Sequence, residues 1–245
     1  VFLENLVAHE RLVLKSVQGV KYPEWEIEED SEDYLAKKKL TDNNIRFFKE
    51  ACEKRSVGCT IHRDSGFPAK EVLIESRFAD ILVIDAATSF NKRYEGMPTD
   101  FVKNILKNAE CPVIIAPESF DGIDEIIFTY NGSESSVFAI KQFTYLLPQL
   151  NNKKITIVQV NENGEWADED RANFKEWLQD HYPSIHFEAL KGDTNSELLG
   201  YLLTRKNVFI VMGAYGRTSV SNFFKHSRAD ILIKTISQPI FISHY

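Results

Sequence analysis

The fold is decided by the stretch Lys206-Asn-Val-Phe-Ile-Val-Met-Gly213-Ala-Tyr-Gly216, where an apolar, β-branched run ends in two spaced glycines. A run of the same kind, Phe78-Ala-Asp-Ile-Leu-Val-Ile-Asp85, ends 128 residues earlier. A second pair of matching runs, Cys111-Pro-Val-Ile-Ile-Ala-Pro117 and Gln238-Pro-Ile-Phe-Ile-Ser-His244, is offset by 127 residues at the first prolines. Two landmarks with nearly the same offset indicate that one structural unit occurs twice.

The second copy alternates strand-like and helix-like segments, which is typical of a parallel sheet covered by helices. Strands are predicted at about 125–130, 155–160, 185–190, 207–213 and 239–244. Helices are predicted at about 135–147, 168–180, 196–205 and 221–236. Ser196 is the expected N-cap of the third helix and Pro148 the expected stop of the first. The pattern predicts a doubly wound, Rossmann-like α/β domain with five parallel strands.

The first copy is predicted to lack its opening strand. The segment 12–17 matches the strand at 155–160, but only eleven residues precede it, where the second copy has a strand and a helix. In a doubly wound sheet the first strand is central, so we expect a preceding N-terminal segment, with 2–7 as the tail of its helix. A strand from a partner chain is the alternative. The acidic stretch 22–33 is interpreted as a solvated connection rather than a docking loop.

We place the domain boundary at the turn-forming linker 117–122, which gives domains 1–119 and 120–245. The chain has 29 Lys+Arg and 36 Asp+Glu among 245 residues, a net charge of −7. This charge argues against nucleic acid or an anionic membrane surface as a partner. The three cysteines show no CxxC pair and the histidines no metal-ligand spacing, so we expect reduced thiols, a cytoplasmic protein and no metal site.

Gly213 and Gly216 lie between a strand and a helix, where backbone N–H groups can cradle phosphate. The hydroxyls of Thr218, Ser219 and Ser227 follow them. On the pattern alone, a tight strand-to-helix turn without a ligand is the favoured interpretation of the two glycines. The position at a topological switch of the sheet favours the phosphate site.

This arrangement resembles the tandem form of the universal stress proteins, whose domains have the adenine nucleotide alpha-hydrolase-like fold and whose nucleotide-binding members carry G-2x-G-9x-G-(S/T). His226 stands where the family has the third glycine, and Asn131 stands where the family has an aspartate that contacts adenosine. The resemblance implies a site for ATP, with Mg²⁺, in the second domain. Its residues are Asn131, Gly213, Gly216, Arg217, His226 and Ser227.

In the first copy, Asp85 stands where the first glycine is expected, and its charge would repel phosphate, so we expect no nucleotide there. The resemblance implies a stress-response regulator rather than an enzyme. It also implies that the strands after Pro112 and Pro239 pair the two domains inside one chain, with a homodimer left open. The alternative is a nucleotide-free interaction scaffold with both sites degenerate, and slow ATP hydrolysis is the least favoured interpretation.

Overall fold

The structure is a computed structural model that describes residues 2–4, 10–17, 20–27, 31–65, 67–91, 93–214 and 238–244. Its contacts divide the chain into two units, Val1–Ile74 and Glu75–Tyr245.

The first unit contains two small sheets and a long helix. Strands β1 (Phe2–Glu4) and β4 (Arg63–Ser65) pair in parallel. Strands β2 (Glu10–Val17) and β3 (Val20–Ile27) form an antiparallel hairpin. Helix α1 (Glu32–Glu53) begins after Ser31, whose side chain accepts a hydrogen bond from Tyr34 N. Helix α2 (Pro68–Ser76) follows β4.

Three predictions for this unit are wrong. The segment 12–17 is a strand, but it pairs antiparallel with β3 instead of joining a parallel sheet. The described residues of the stretch 22–33 are not a connection, because 22–27 belong to β3 and 32–33 to the start of α1. Residues 2–4 are extended, not the tail of a helix. The physical reason is the two-residue gap between β2 and β3, which allows a hairpin but is far too short for a parallel crossover.

The second unit is built on a seven-stranded sheet flanked by helices. Its first elements are β5 (Leu82–Asp85), α3 (Asp100–Asn108) and β6 (Val113–Ala116). The others, in chain order, are β7 (Glu125–Tyr130), α4 (Glu134–Leu146), β8 (Lys154–Asn161), α5 (Asp168–Leu178), β9 (Ile185–Lys191), α6 (Thr194–Leu203), β10 (Val208–Ala214) and β11 (Ile240–His244). The spatial order is β5-β6-β11-β10-β7-β8-β9, and all neighbours are parallel except β6 and β11.

The prediction of five strands in a doubly wound, Rossmann-like sheet is confirmed for the described residues 125–214 and 238–244. The helices match at α4 and α5, and the predicted helix at 221–236 lies outside the described residues. Ser196 is not the N-cap of α6. Asp193 takes that place, because its carboxylate accepts hydrogen bonds from both the backbone N and the Oγ of Ser196.

Strands β6 and β11 pair antiparallel, with Ile114 opposite Phe241. The expected pairing of the two proline-led strands within one chain is therefore confirmed. This pairing places β5 and β6 in the same sheet as β7 to β11. The division between the two compact units therefore falls before β5, after Ile74. The boundary at 119/120 stays a prediction about the repeat.

On one face of this sheet, the core lies beneath α4 and α5. The Phe143 ring is fully buried and makes edge-on contacts with Phe128, Phe209 and Phe241, at centroid distances of 5.7, 5.0 and 5.3 Å. These three rings come from β7, β10 and β11. One helical side chain thus holds three strands against α4.

We expect Phe143→Ala to lower the free energy of unfolding by about 3–5 kcal/mol, because it removes a buried ring and leaves a cavity. Chemical denaturation followed by tryptophan fluorescence measures this loss. Phe120→Ala is the matched control, since Phe120 is 59% exposed and its truncation should change stability by at most about 0.5 kcal/mol. Equal losses in the two variants would contradict this account of the core.

Candidate functional site

The candidate site lies where neighbouring strands β7 and β10 end. From β7 the chain crosses to β8 on one side, whereas from β10 it continues to β11 on the other, so the sheet changes direction between them. Backbone pairing of the two strands runs to Phe128 and Val211, and the Thr129 hydroxyl then donates to Val211 O at 3.1 Å. We call the space at their carboxyl ends the switch-point crevice. Ligands bind at such positions in open α/β sheets.

Asn131 follows β7 directly and organises the start of α4. Its Oδ1 accepts hydrogen bonds from Ser133 N at 3.1 Å and Ser133 Oγ at 2.7 Å. Ser133 is the N-cap of α4, and its Oγ accepts from Ser136 N. The Asn131 Nδ2 has no hydrogen-bond partner within the described part of the chain. An aspartate here would offer a second acceptor, whereas the amide offers a donor.

Gly213 lies near the end of β10, against the first turn of α4. A Cβ on this residue would stand 2.5 Å from both the carbonyl carbon and the oxygen of Ser135, and 2.6 Å from Ser136 N. These are backbone atoms that cannot swing aside, so this position requires glycine. The contact explains Gly213 without a ligand, and it also fixes the exit of β10 beside Asn131 and the N-terminus of α4.

The structure therefore brings together two of the predicted site residues, Asn131 and Gly213. The other four, Gly216, Arg217, His226 and Ser227, lie outside the described residues.

Strand β11 adds a backbone neighbour that the sequence analysis missed. In the register of β10 and β11, Ser243 lies beside Gly213 and His244 beside Ala214. Ser243 is buried. The predicted parallel sheet could have indicated this, because parallel strands place their carboxyl ends at the same edge.

In the first copy, Asp85 ends β5 and shapes the turn that follows. Its Oδ1 accepts from Ala87 N at 2.7 Å, and its carbonyl oxygen accepts from Thr88 N at 3.0 Å. The carboxylate thus takes part in a local turn of the backbone. The absence of nucleotide binding in this copy stays a prediction.

A cavity of about 360 Å³ lies between α4 and α5. Its walls are mainly aromatic, with one lysine and one aspartate. The lining residues are Tyr130, Val137, Lys141, Tyr145, Asp170, Asn173, Phe174 and Trp177. The sequence analysis missed them, although their spacing of three or four residues along each helix places them on one face.

Tyr130 forms the inner wall of this cavity. Its ring stacks on Trp166 at a centroid distance of 5.6 Å and meets Phe174 edge-on at 4.8 Å. Burial, and then the hydrogen bond to the Asp170 carboxylate together with its charge, raises the pKa of Tyr130 to about 12. The phenol therefore stays protonated and donates to Asp170 across the physiological range.

No group of three or more His, Cys, Asp or Glu side chains that could hold a metal ion occurs among the described residues. In the same part of the chain, no helix has the length and apolar character needed to cross a bilayer.

No protein-family model and no curated protein matches this sequence. Among solved structures, a universal stress protein from Archaeoglobus fulgidus DSM 4304 aligns with a TM-score of 0.64 at 16% identity, over 88% of this chain and 80% of that one. This chain has the universal stress protein fold. A protein of unknown function from Pseudomonas aeruginosa PAO1 aligns with a TM-score of 0.50 at 10% identity, over 89% of this chain and 90% of that one.

A candidate universal stress protein from Pseudomonas aeruginosa UCBPP-PA14 aligns with a TM-score of 0.51 at 10% identity, over 82% of this chain and 78% of that one. The universal stress protein fold therefore extends over most of the chain.

Within this universal stress protein fold, Gly213→Ala should lower the free energy of unfolding by about 1–3 kcal/mol, because the added methyl forces β10 away from α4. The matched control is Gly200→Ala in α6, where nothing lies within 4 Å of a Cβ. That variant should gain about 0.5–1 kcal/mol from helix propensity. Thermal and chemical denaturation measure both changes, and a gain in Gly213→Ala would refute the backbone contact.

Tyr130 should make the stability of the protein depend on pH in the alkaline range. The pKa of Tyr130 is about 12 when folded and about 10 when unfolded, so the unfolded chain loses its proton first and stability falls as pH rises between these values. Tyr130→Phe should therefore lose about 1–2 kcal/mol less unfolding free energy than the parent between about pH 9 and about pH 11.5.

Denaturant titrations across this pH range provide the measurement. Tyr145→Phe, at an exposed position of the same cavity, should keep the parent's slope. If the slopes of the two variants coincide, the buried hydrogen bond of Tyr130 does not control the alkaline loss.

Proposed function

We propose that this chain is a tandem universal stress protein that binds ATP with Mg²⁺ in its second copy, and that it acts as a cytoplasmic stress-response regulator rather than an enzyme. The observation that carries the proposal is the meeting of three features at the switch-point crevice. These are Asn131, the N-terminus of α4 and the exit of β10 at Gly213. A helix N-terminus beside a strand exit favours an anionic ligand.

In this proposal the adenosine part of the nucleotide lies against Asn131. Its Oδ1 is engaged by Ser133, so the group available to a ligand is the Nδ2 donor. Adenine ring nitrogens and ribose oxygens are acceptors that such a donor can bind. The chemistry of Asn131 thus fits adenosine through acceptor atoms of the ligand.

The phosphates are assigned to the segment that leaves β10. By resemblance, Gly216 and the backbone around it approach the phosphate oxygens, Arg217 supplies a positive charge and Ser227 a hydroxyl. His226 adds a side chain where the family has glycine. In the neutral form it narrows the site, and when protonated it adds a charge that favours phosphate. Bound Mg²⁺-ATP would bias how the universal stress domains pack, which is the regulatory step.

The alternative function is a nucleotide-free interaction scaffold. Two observations favour it. Packing against Ser135 accounts for Gly213 without any ligand, and the Asn131 oxygen already serves the cap of α4. In this alternative the inherited site is closed, and the protein acts through its surfaces.

Calorimetric titration with Mg-ATP separates these functions. We expect micromolar binding by the parent and tighter binding by His226→Gly. Asn131→Asp keeps the acceptor for Ser133 and so preserves the α4 cap. If Asn131 contacts the ligand, the affinity of this variant for Mg-ATP should differ from that of the parent by about tenfold. A tenfold change in the dissociation constant corresponds to about 1.4 kcal/mol, the contribution of one hydrogen bond. Gly200→Ala, remote from the crevice, should bind like the parent.

The outcomes distinguish nucleotide binding, the scaffold and an enzyme. Binding by His226→Gly alone indicates an inherited site closed by one side chain. Absence of heat in the parent and in all variants refutes nucleotide binding and favours the scaffold. Phosphate release above that of heat-inactivated protein would instead show an enzyme.

A further inference from the structure

The end of helix α1 folds back on itself through a Schellman motif. Val57 N donates to Cys52 O at 2.9 Å, and Ser56 N donates to Glu53 O at 3.0 Å. Ser56 has a φ of 54°, the left-handed conformation that this motif requires. The chain therefore reverses direction within the turn after Cys52.

This reversal brings Cys59 back to Cys52. Val57 is bonded to the Cys52 carbonyl, and only Gly58 separates it from Cys59. Nothing lies within 4 Å of a Cβ built on Gly58. The neighbouring Cys59 thiol is one of the causes that raise the pKa of Cys52, after burial. Both are free, with Cys59 exposed and Cys52 half-buried. Cys111, the third cysteine, is buried at the start of β6.

We propose that Cys52 and Cys59 are a redox modification site, at which a small disulfide of the glutathione class converts the two thiols into an intramolecular disulfide. The Schellman turn places Cys59 on the segment that runs back past the last turn of α1, where Cys52 lies.

The reaction proceeds in two exchange steps. The Cys59 thiolate attacks one sulfur of glutathione disulfide, forms a mixed disulfide and releases the first glutathione thiolate. The Cys52 thiolate then attacks the Cys59 sulfur and releases the second. The two cysteines lose two electrons, which the cleaved glutathione disulfide gains. The two thiol protons end on two molecules of glutathione.

The exposures of the two thiols set this order of attack. Cys59 is exposed, so an external disulfide reaches it first. Partial burial, together with the adjacent Cys59, raises the pKa of Cys52, which keeps Cys52 mostly protonated at neutral pH. A thiol of that kind reacts poorly with dissolved disulfides but well with a sulfur held beside it.

The disulfide would join the last turn of α1 to the segment that leads into β4. Reduction by a dithiol restores the parent, so the modification is reversible. It concerns residues of the first unit and does not depend on nucleotide binding in the second copy.

The experiment incubates the reduced full chain with glutathione disulfide, alkylates the remaining thiols with N-ethylmaleimide and maps tryptic peptides by mass spectrometry. Trypsin cuts after Lys49, Lys54, Arg55 and Arg63, so the disulfide joins peptides 50–54 and 56–63. We expect this linked pair, lighter by two hydrogens and free of glutathione, as the main product. Cys111, labelled after denaturation, is the internal control.

Two variants test the order of attack. Cys52→Ser should stop at a stable glutathione adduct on Cys59. Cys59→Ser should acquire glutathione on Cys52 about tenfold more slowly. The proposal is overturned if the parent retains glutathione on Cys59 without forming the linked peptide, if the linkage involves Cys111, or if it joins two chains.

Discussion

The approach of β10 to the first turn of α4 is the constraint on which the second unit depends. At Gly213 the two backbones are so close that no side chain fits between them, and Phe143, two turns further along α4, fills the space where β7, β10 and β11 meet the helix. Gly213, which has no side chain, and the large ring of Phe143 together set the distance between α4 and the sheet. The switch-point crevice follows from that distance. It is the place where the ends of β7 and β10 meet the capped N-terminus of α4.

Asn131 contributes both to the fold and to the candidate site. Asn131 closes the hydrogen-bonded turn that starts α4, and it stands where the universal stress protein resemblance places an adenosine contact. A side chain with two polar atoms can serve both purposes, one atom for each. The cap uses the oxygen and leaves the nitrogen. Replacing aspartate by asparagine at this position therefore leaves the fold unchanged, because either side chain supplies the oxygen that Ser133 needs. The replacement does change the hydrogen bonds that a ligand in the crevice can make.

The parts predicted correctly from sequence are those governed by short-range periodicity. The buried runs at β7, β8 and β10 are β-branched and nearly unbroken, as expected for strands covered on both faces, and the chain folds them as predicted. The hairpin β2–β3 was not predicted, because the segment 12–17 was compared with the distant strand at 155–160. The short separation of two residues between β2 and β3 is what indicates a hairpin. Ser196 is predicted as the cap of α6, but Asp193 takes that place; both residue types cap helices, and only the three-dimensional path distinguishes them. The cavity between α4 and α5 brings together residues some 40 positions apart, a separation that periodicity along one helix does not address.

The antiparallel junction between β6 and β11 has a further consequence for association. When two separate chains join their sheets by a terminal strand, the joint dissociates on dilution. Here both strands belong to one polypeptide, so each meets the other at an effective concentration set by the connecting chain and not by the amount of protein in solution. The continuous sheet therefore persists at any dilution. Because β11 has β6 on one side and β10 on the other, it also has no open edge to offer to a second molecule.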